Sequence, residues 1–319
     1  MADSYFMQNN LSSKIIATVA YCDTLDYPMT AFEIWKYLTD VRGQETGKGE
    51  EGKTTLLDVL EGLEKGEVKK VVEDHLGFYF LRGRQELVGQ RLERNKISER
   101  KFKIAKRVIF CLKFVPFVRM AALTGRMAMK NTEEKSDIDL LIVLKHGHIY
   151  TGRTLVTLLI HILGKRRYGN HIANRICLNF FITDKSLEIT LQDLFSAQEY
   201  SFIMPVFGYR TFHNFQKSNC WIRNFKKNFE PDEVVNLKMT DDSFFSRQIR
   251  KTGEMIFGFG IMEKYLKKWQ KRRIENDPRT HGAGSMVMAS DDYLIFLPKP
   301  QGPEIFENFQ AKLRELKIA

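Results

Sequence analysis

The 319-residue chain is poor in the features that would cross-link it or span a membrane. It has four cysteines, Cys22, Cys111, Cys177 and Cys220, far apart and with no CxxC pair. That spacing argues against a disulfide framework or a zinc site and fits reduced intracellular thiols. No apolar run approaches the ~20 residues of a membrane span. The longest, Leu155 to Leu163, is interrupted by His161. The start, Met1 to Asn10, is polar, carries Asp3 and has neither a basic n-region nor an apolar h-region. No secretory signal is expected there, so the reading is a cytoplasmic protein with no membrane partner. Acidic residues are outnumbered, 39 Asp+Glu against 50 Lys+Arg, which leaves a net charge of +11. The length suits two or three domains.

A basic excess matters only where it is concentrated. Residues 1–82 hold nine basic and fourteen acidic residues, so this segment is net acidic. Residues 83–130 hold thirteen basic and three acidic, and 131–319 hold 28 against 22. The positive charge is therefore mostly a band near the middle of the chain. At least two units with different roles are implied.

The acidic segment, 1–84, reads as a small helical module ending in a hairpin. Ser12-Ser13 could cap a helix carrying Ile15, Ile16, Val19 and Ala20 at helical spacing. Thr30-Ala31-Phe32-Glu33 has the form of a capping box. Arg42 to Lys53 reads as a polar loop, and Thr54-Thr55 opens a third helix. Val68 to Glu73 and Phe78 to Leu81 then read as two strands. Three helices and a ribbon resemble a winged helix. Its third helix, with Asp58, Glu61 and Glu64, has an acidic face that would repel a nucleic-acid backbone. From Gln85 to Lys113 the pattern predicts one long basic helix, stopped by Pro116. It reads either as a solvated connector or as a phosphate-tracking surface.

The chemistry lies in Val118 to Leu144. An apolar run ends at Thr124-Gly125, a short helical turn follows, and a polar loop from Lys130 to Ser136 leads into Asp137-Ile138-Asp139 and the strand Leu140 to Leu144. Residues two apart in a strand share a side, so Asp137 and Asp139 project together. Two adjacent carboxylates favour a cation between them, and hard oxygen donors favour Mg²⁺. Gly125 allows backbone to approach a phosphate closely.

Glycine, a gap of about a dozen residues, and Ser136-Asp137-Ile138-Asp139 before an apolar strand together resemble the nucleotidyltransferase fold of the DNA polymerase beta superfamily. The string looks most like bacterial and archaeal nucleotidyltransferase-domain proteins with a winged-helix-like segment ahead of the motif. The resemblance implies Mg²⁺-dependent transfer of a nucleoside monophosphate from an NTP to an acceptor: nucleic acid such as tRNA, a protein or a small molecule. It implies that Asp137 and Asp139 ligate two Mg²⁺ ions, and that Gly125, Arg126, Lys130 and Ser136 contact the nucleotide. Two positions depart from the family pattern. Arg126 stands where Ser or Gly follows the glycine; it could bind phosphate or fill the pocket. Asn179, in Arg175 to Ile182, stands where a third carboxylate is usual, with Glu188 or Asp184 as substitutes if the register differs. These departures leave open a catalytically impaired nucleotide- or nucleic-acid-binding regulator that retains the fold.

Thr151 to Leu163 predicts a helix packed on the sheet, and Leu191 onward reads as mainly helical. Phe212, Phe215, Trp221 and Phe225 alternate with cations, as a core-facing amphipathic helix or a stacking surface would. Phe244 to Arg273 predicts a helix pair or one long helix, and Met286 to Ala289 with Tyr293 to Leu297 a hairpin. The expected class is α+β: a winged-helix-like module (1–84), a nucleotidyltransferase domain with a mixed sheet (85–190) and a mainly helical region (191–319).

Overall fold

The computed structural model describes residues 10–39, 54–231 and 239–316. The loop expected at 42–53 lies outside them. Among the described residues the chain is mixed α+β, with two separate sheets. No helix among the described residues is long and apolar enough to cross a membrane.

The N-terminal unit begins with α1 (Leu11–Asp23), followed by β1 (Met29–Thr30) and α2 (Ala31–Lys36). Then come α3 (Leu56–Glu64), α4 (Gly66–Lys69), β2 (Val72–His75) and β3 (Phe78–Leu81). Asn10, not the serines, caps α1: its side chain accepts from the Ser13 amide at 2.8 Å. Ser12 and Ser13 lie inside the helix. The Thr30–Glu33 capping box is formed, and Thr55 makes a second with Asp58. Val68 belongs to α4 rather than to a strand. The hairpin gains a third strand, because β1 pairs antiparallel with β3 in the order β1-β3-β2.

The long basic helix is α5 (Glu86–Leu112). It leads into β4 (Val118–Leu123), α6 (Gly125–Ala128), β5 (Ile138–Leu144), α7 (Ile149–Ile162) and β6 (Ile176–Thr183). After these come α8 (Leu194–Ser201), β7 (Met204–Phe207), α9 (Tyr209–Ser218), α10 (Phe244–Phe257) and α11 (Gly260–Glu275). The chain closes with β8 (Met286–Ala289), β9 (Tyr293–Leu297) and α12 (Gly302–Glu315). The central sheet runs β7-β4-β5-β6-β9-β8, with β5 and β6 parallel across the α7 crossover and the other neighbours antiparallel. Three of its six strands come from beyond residue 190. The sheet therefore runs across the expected boundary at 190, because β9 pairs directly with β6.

The two faces of the sheet bury different side chains. Ile138, Leu140, Ile142 and Leu144 of β5 pack with α5 and α7. Leu141 and Val143 pack with α1, α8, α9 and α12. Strand alternation sorts them, and the near-continuous apolar run of β5 is what a strand covered on both faces requires. Phe212, Phe215 and Phe225 are buried in the core, and α10 and α11 form a pair broken at Gly258-Phe259.

The N-terminal unit is tied to this body by a buried cation. Lys226 is fully buried, its Nζ donating to the Tyr37 carbonyl at 3.2 Å and to Thr39 Oγ1 at 2.8 Å. Burial pulls its ammonium down to about 8. Between pH 8 and 10.5 the unfolded chain keeps this proton while the native one has lost it, so this group's contribution to stability rises with pH across that window. The stability of the wild type relative to Lys226→Met should accordingly climb by up to about 3 kcal/mol between those limits. Urea titrations of both proteins at several pH values read the difference; a flat difference would contradict it.

Candidate active site

Residues 131–136 carry the chain into Asp137, and α5 holds them. Arg94 is buried; its guanidinium donates to Asn131 Oδ1 at 3.2 Å and to Glu133 at 2.8 Å. Lys101, 1% exposed, donates from Nζ to the Ser136 carbonyl at 2.5 Å. Arg100 pairs with Glu134 and Lys130 with Glu99. The inward cations of the basic helix thus fasten the loop before the aspartates, while other basic residues of α5 remain on its outer face. Lys101→Met should cost about 2 kcal/mol through the lost charge-assisted bond. It should also lower any activity of Asp137 roughly tenfold or more by loosening its approach. Melting curves and initial rates together check this.

Asp137 and Asp139 do converge. With Cys177 they form a cluster whose ligand atoms all lie within 4.8 Å of one another. Burial pushes the Asp139 carboxyl up to about 6, and the charge of Asp137 adds to it; Cys177 and Arg167 act in the opposite sense. The guanidinium of Arg167 donates to Asp137 Oδ2 at 2.5 Å and to Cys177 Sγ at 3.5 Å. Burial, then Asp139 and Asp137, hold the Cys177 thiol well above its ordinary range.

Cys177, not Asn179, is the β6 residue opposite Asp139. The register pairs Asp139 with Cys177 and Leu141 with Phe180, so β6 carries one extra residue between them. This bulge takes Asn179 out of alternation with Asp139. Asn179 lines the cleft. Neither substitute joins the carboxylate cluster. Asp184 accepts from the His146 amide at 2.9 Å, and Glu188 is exposed and bonded to Gln192.

Gly125 opens α6 at φ +60, a left-handed conformation that glycine adopts without strain. A Cβ there would stand 3.2 Å from Asp139 Oδ2. The absence of a side chain lets the loop backbone lie against the carboxylate. Glu199 of α8, which the sequence did not single out, accepts a backbone hydrogen bond from Gly125. Burial, then Asp139 and Asp193, push Glu199 up to about 7 against that bond. Nothing in the α8 sequence marks this glutamate, since Gly125 and Asp139 lie far away along the chain.

The other expected contacts divide. Arg126 is partly exposed, bonds Glu133 at 3.2 Å, and lines the cleft beside Gly125. Ser136 also lines it, its hydroxyl accepting from the Glu133 amide at 3.2 Å. Lys130 is turned to Glu99 and is outside the cleft lining. The cleft has a volume of about 2800 Å³. Acidic side chains, Asp137, Asp139, Asp193, Glu199 and Asp277, share its lining with Arg126, Arg153, Arg166, Arg167, Arg273, Arg279 and Arg314, and Arg167 is bonded directly to Asp137.

The donor set suits a hard cation. Two carboxylates, one of them held against ionisation by burial and by the other's charge, match the one or two that Mg²⁺ takes from a protein when substrate phosphates supply the rest. The protonated Cys177 thiol is a poor partner for Mg²⁺ and better suited to donating a hydrogen bond to Asp139. No family model, curated protein or solved structure matches the chain.

Proposed function

We propose that the protein is a Mg²⁺-dependent nucleotidyltransferase, moving a nucleoside monophosphate from an NTP to an acceptor with release of pyrophosphate. The observation that carries this is the convergence of Asp137, Asp139 and Gly125 in a cleft whose lining is rich in arginine. Asp137 and Asp139 would hold the metal, which supplies charge neutralisation for the transferring phosphoryl group. Gly125 lets the loop backbone lie close beside Asp139. Arg126 lines the cleft close by and, swung away from Glu133, reaches phosphate with a bidentate fork. Arg167 donates to Asp137 and would share that carboxylate with a bound cation. The third position supplies a thiol rather than a base, so the acceptor hydroxyl loses its proton to water or to a substrate phosphate. We assign the module at 1–84 a winged-helix-like form on its element order, and a positioning role on its acidic third helix.

The test is incorporation of label from each of the four NTPs by the full-length protein with and without Mg²⁺. Asp137→Asn and Asp139→Asn serve as controls. Incorporation that needs Mg²⁺ and both aspartates supports transfer. Tight NTP binding with no incorporation from any NTP replaces it with the second reading, a nucleotide-binding regulator, which the thiol at the third position favours.

A further inference from the structure

The arginines of the cleft are not one patch. Asp139 shares its face of the sheet with Leu141 and Val143, the face covered by α8 and α12. Arg167 reaches Asp137 on that side. Its neighbour Arg166 turns the other way. Residues 165–167 run extended beside β6, with the Ile176 amide donating to the Lys165 carbonyl at 2.7 Å and the Arg167 amide to the Ile176 carbonyl at 3.0 Å. Successive side chains there point to opposite sides.

On the other side stand α7 and α11. Arg153 comes from the start of α7, half-buried, its guanidinium 5.9 Å from the Phe181 ring, and Phe181 belongs to the α7 face. Its Nη1 donates to the neutral Gln270 Oε1 at 2.7 Å. Arg273, in the last turn of α11, lies over the Trp269 ring at 5.6 Å. Burial, then the charges of Arg166 and Arg273, pull Arg153 down to about 10. Among the described residues none of these three arginines makes a close ion pair with a carboxylate; Asp277, near enough to Arg273 to feel its charge, is itself held by Arg279 at 2.7 Å. All three line the cleft. For the largely buried Arg153 the neighbouring positive charges are unfavourable, and a bound anion would relieve them.

We infer that Arg153, Arg166 and Arg273 form a second anion subsite, on the face of the sheet opposite the aspartates, that takes a phosphate group of the acceptor. The word acceptor rests on the transfer reading; the anion site does not. The donor triphosphate must lie beside Asp137 and Asp139, so it cannot occupy the α7 face as well. Three guanidinium groups match the several oxygens of a phosphate better than the two of a carboxylate. The half-exposed Trp269 beside Arg273 gives the same wall a flat apolar surface. A ligand filling both subsites reaches around the ends of β5 and β6, from one face of the sheet to the other.

Calorimetric titration of the full-length protein with inorganic pyrophosphate, in chelator and without divalent cation, tests this. Binding should persist in an Asp137→Asn, Asp139→Asn double variant. It should weaken at least tenfold in Arg153→Gln and in Arg273→Gln. Arg273 is exposed, so its variant keeps the fold even if Arg153→Gln does not, and circular dichroism checks both. Two further titrants separate the sources of the phosphate: glycerol phosphate for a small monoester, and a single-stranded oligonucleotide without a terminal phosphate for a backbone diester. Arginine-dependent binding of either supports the subsite. Pyrophosphate binding unchanged in both arginine variants, or absent without divalent cation, overturns it. Intact anion binding with no label transfer would instead sink the transfer reading and leave the subsite standing.

Discussion

Asp139→Asn is expected to abolish Mg²⁺-dependent label transfer, by about 10³-fold or more, and at the same time to make the metal-free protein more stable. Both effects come from a buried carboxylate held beside a second one. Burial and Asp137 raise Asp139 to about 6 from an ordinary 3.8. A carboxyl whose native value lies above its unfolded value binds more protons when folded, so stability falls as pH rises from about 4 to about 6 and stays low above that. The limit of this loss is about 3 kcal/mol. Asparagine carries no charge and escapes it. Below pH 4 the two proteins should melt together; at about pH 7.5 the variant should melt several degrees higher. Saturating Mg²⁺ should raise the wild type, since a ligand that binds the native state alone stabilises it, and leave the variant unmoved. Thermal melts at the two pH values, with and without Mg²⁺, read all of this. A variant that melts lower than wild type at neutral pH and still responds to Mg²⁺ would show that Asp139 is a structural residue and not a ligand.

That pair of aspartates was legible in the sequence for a simple reason. Asp137 and Asp139 are local to each other, and the period of a strand sets their common direction without any knowledge of the rest of the chain. Gly125 was legible with them, being close in sequence and followed by a short turn. The cap at Thr30–Glu33 and the long helix from Glu86 are local features too, and the structure has both. The register of Asn179 was harder to read, for the opposite reason. Its place depended on counting residues along β6 against β5, and a single-residue bulge between Cys177 and Phe180 changes the count. Glu199 was invisible because it reaches Gly125 from a helix more than seventy residues later in the chain. The basic band between 83 and 130 pointed to phosphate, yet Arg94 and Lys101 spend their charge on Glu133 and the Ser136 carbonyl. The arginines left facing the cleft come mostly from α7, α11 and the turn between α7 and β6.

Gly208→Ala is expected to be the most damaging single substitution for the fold, and its contrast with Gly147→Ala shows why. Both glycines have left-handed backbones, φ +87 and +78. Around Gly147 an added Cβ meets nothing within 4 Å, so alanine there loses about 1 kcal/mol for the conformation alone. At Gly208 the Cβ would lie 2.1 Å from the Arg119 carbonyl oxygen and 2.8 Å from the Met120 Cα. Those are backbone atoms of β4, which is paired on one side with β5 and on the other with β7. No side chain can swing away to make room, so β7 or the start of α9 must lift from β4. With the αL penalty added, a loss of about 4 kcal/mol or more follows, a large part of the 5–15 kcal/mol that holds a typical domain. The damage should also reach the site, because β4 ends at Leu123 and delivers Thr124 and Gly125 to the aspartates. Urea midpoints of the two variants separate the cases: Gly147→Ala near wild type, Gly208→Ala far below it or insoluble. Equal midpoints would mean that the approach of Gly208 to Arg119 is looser in solution than these distances require.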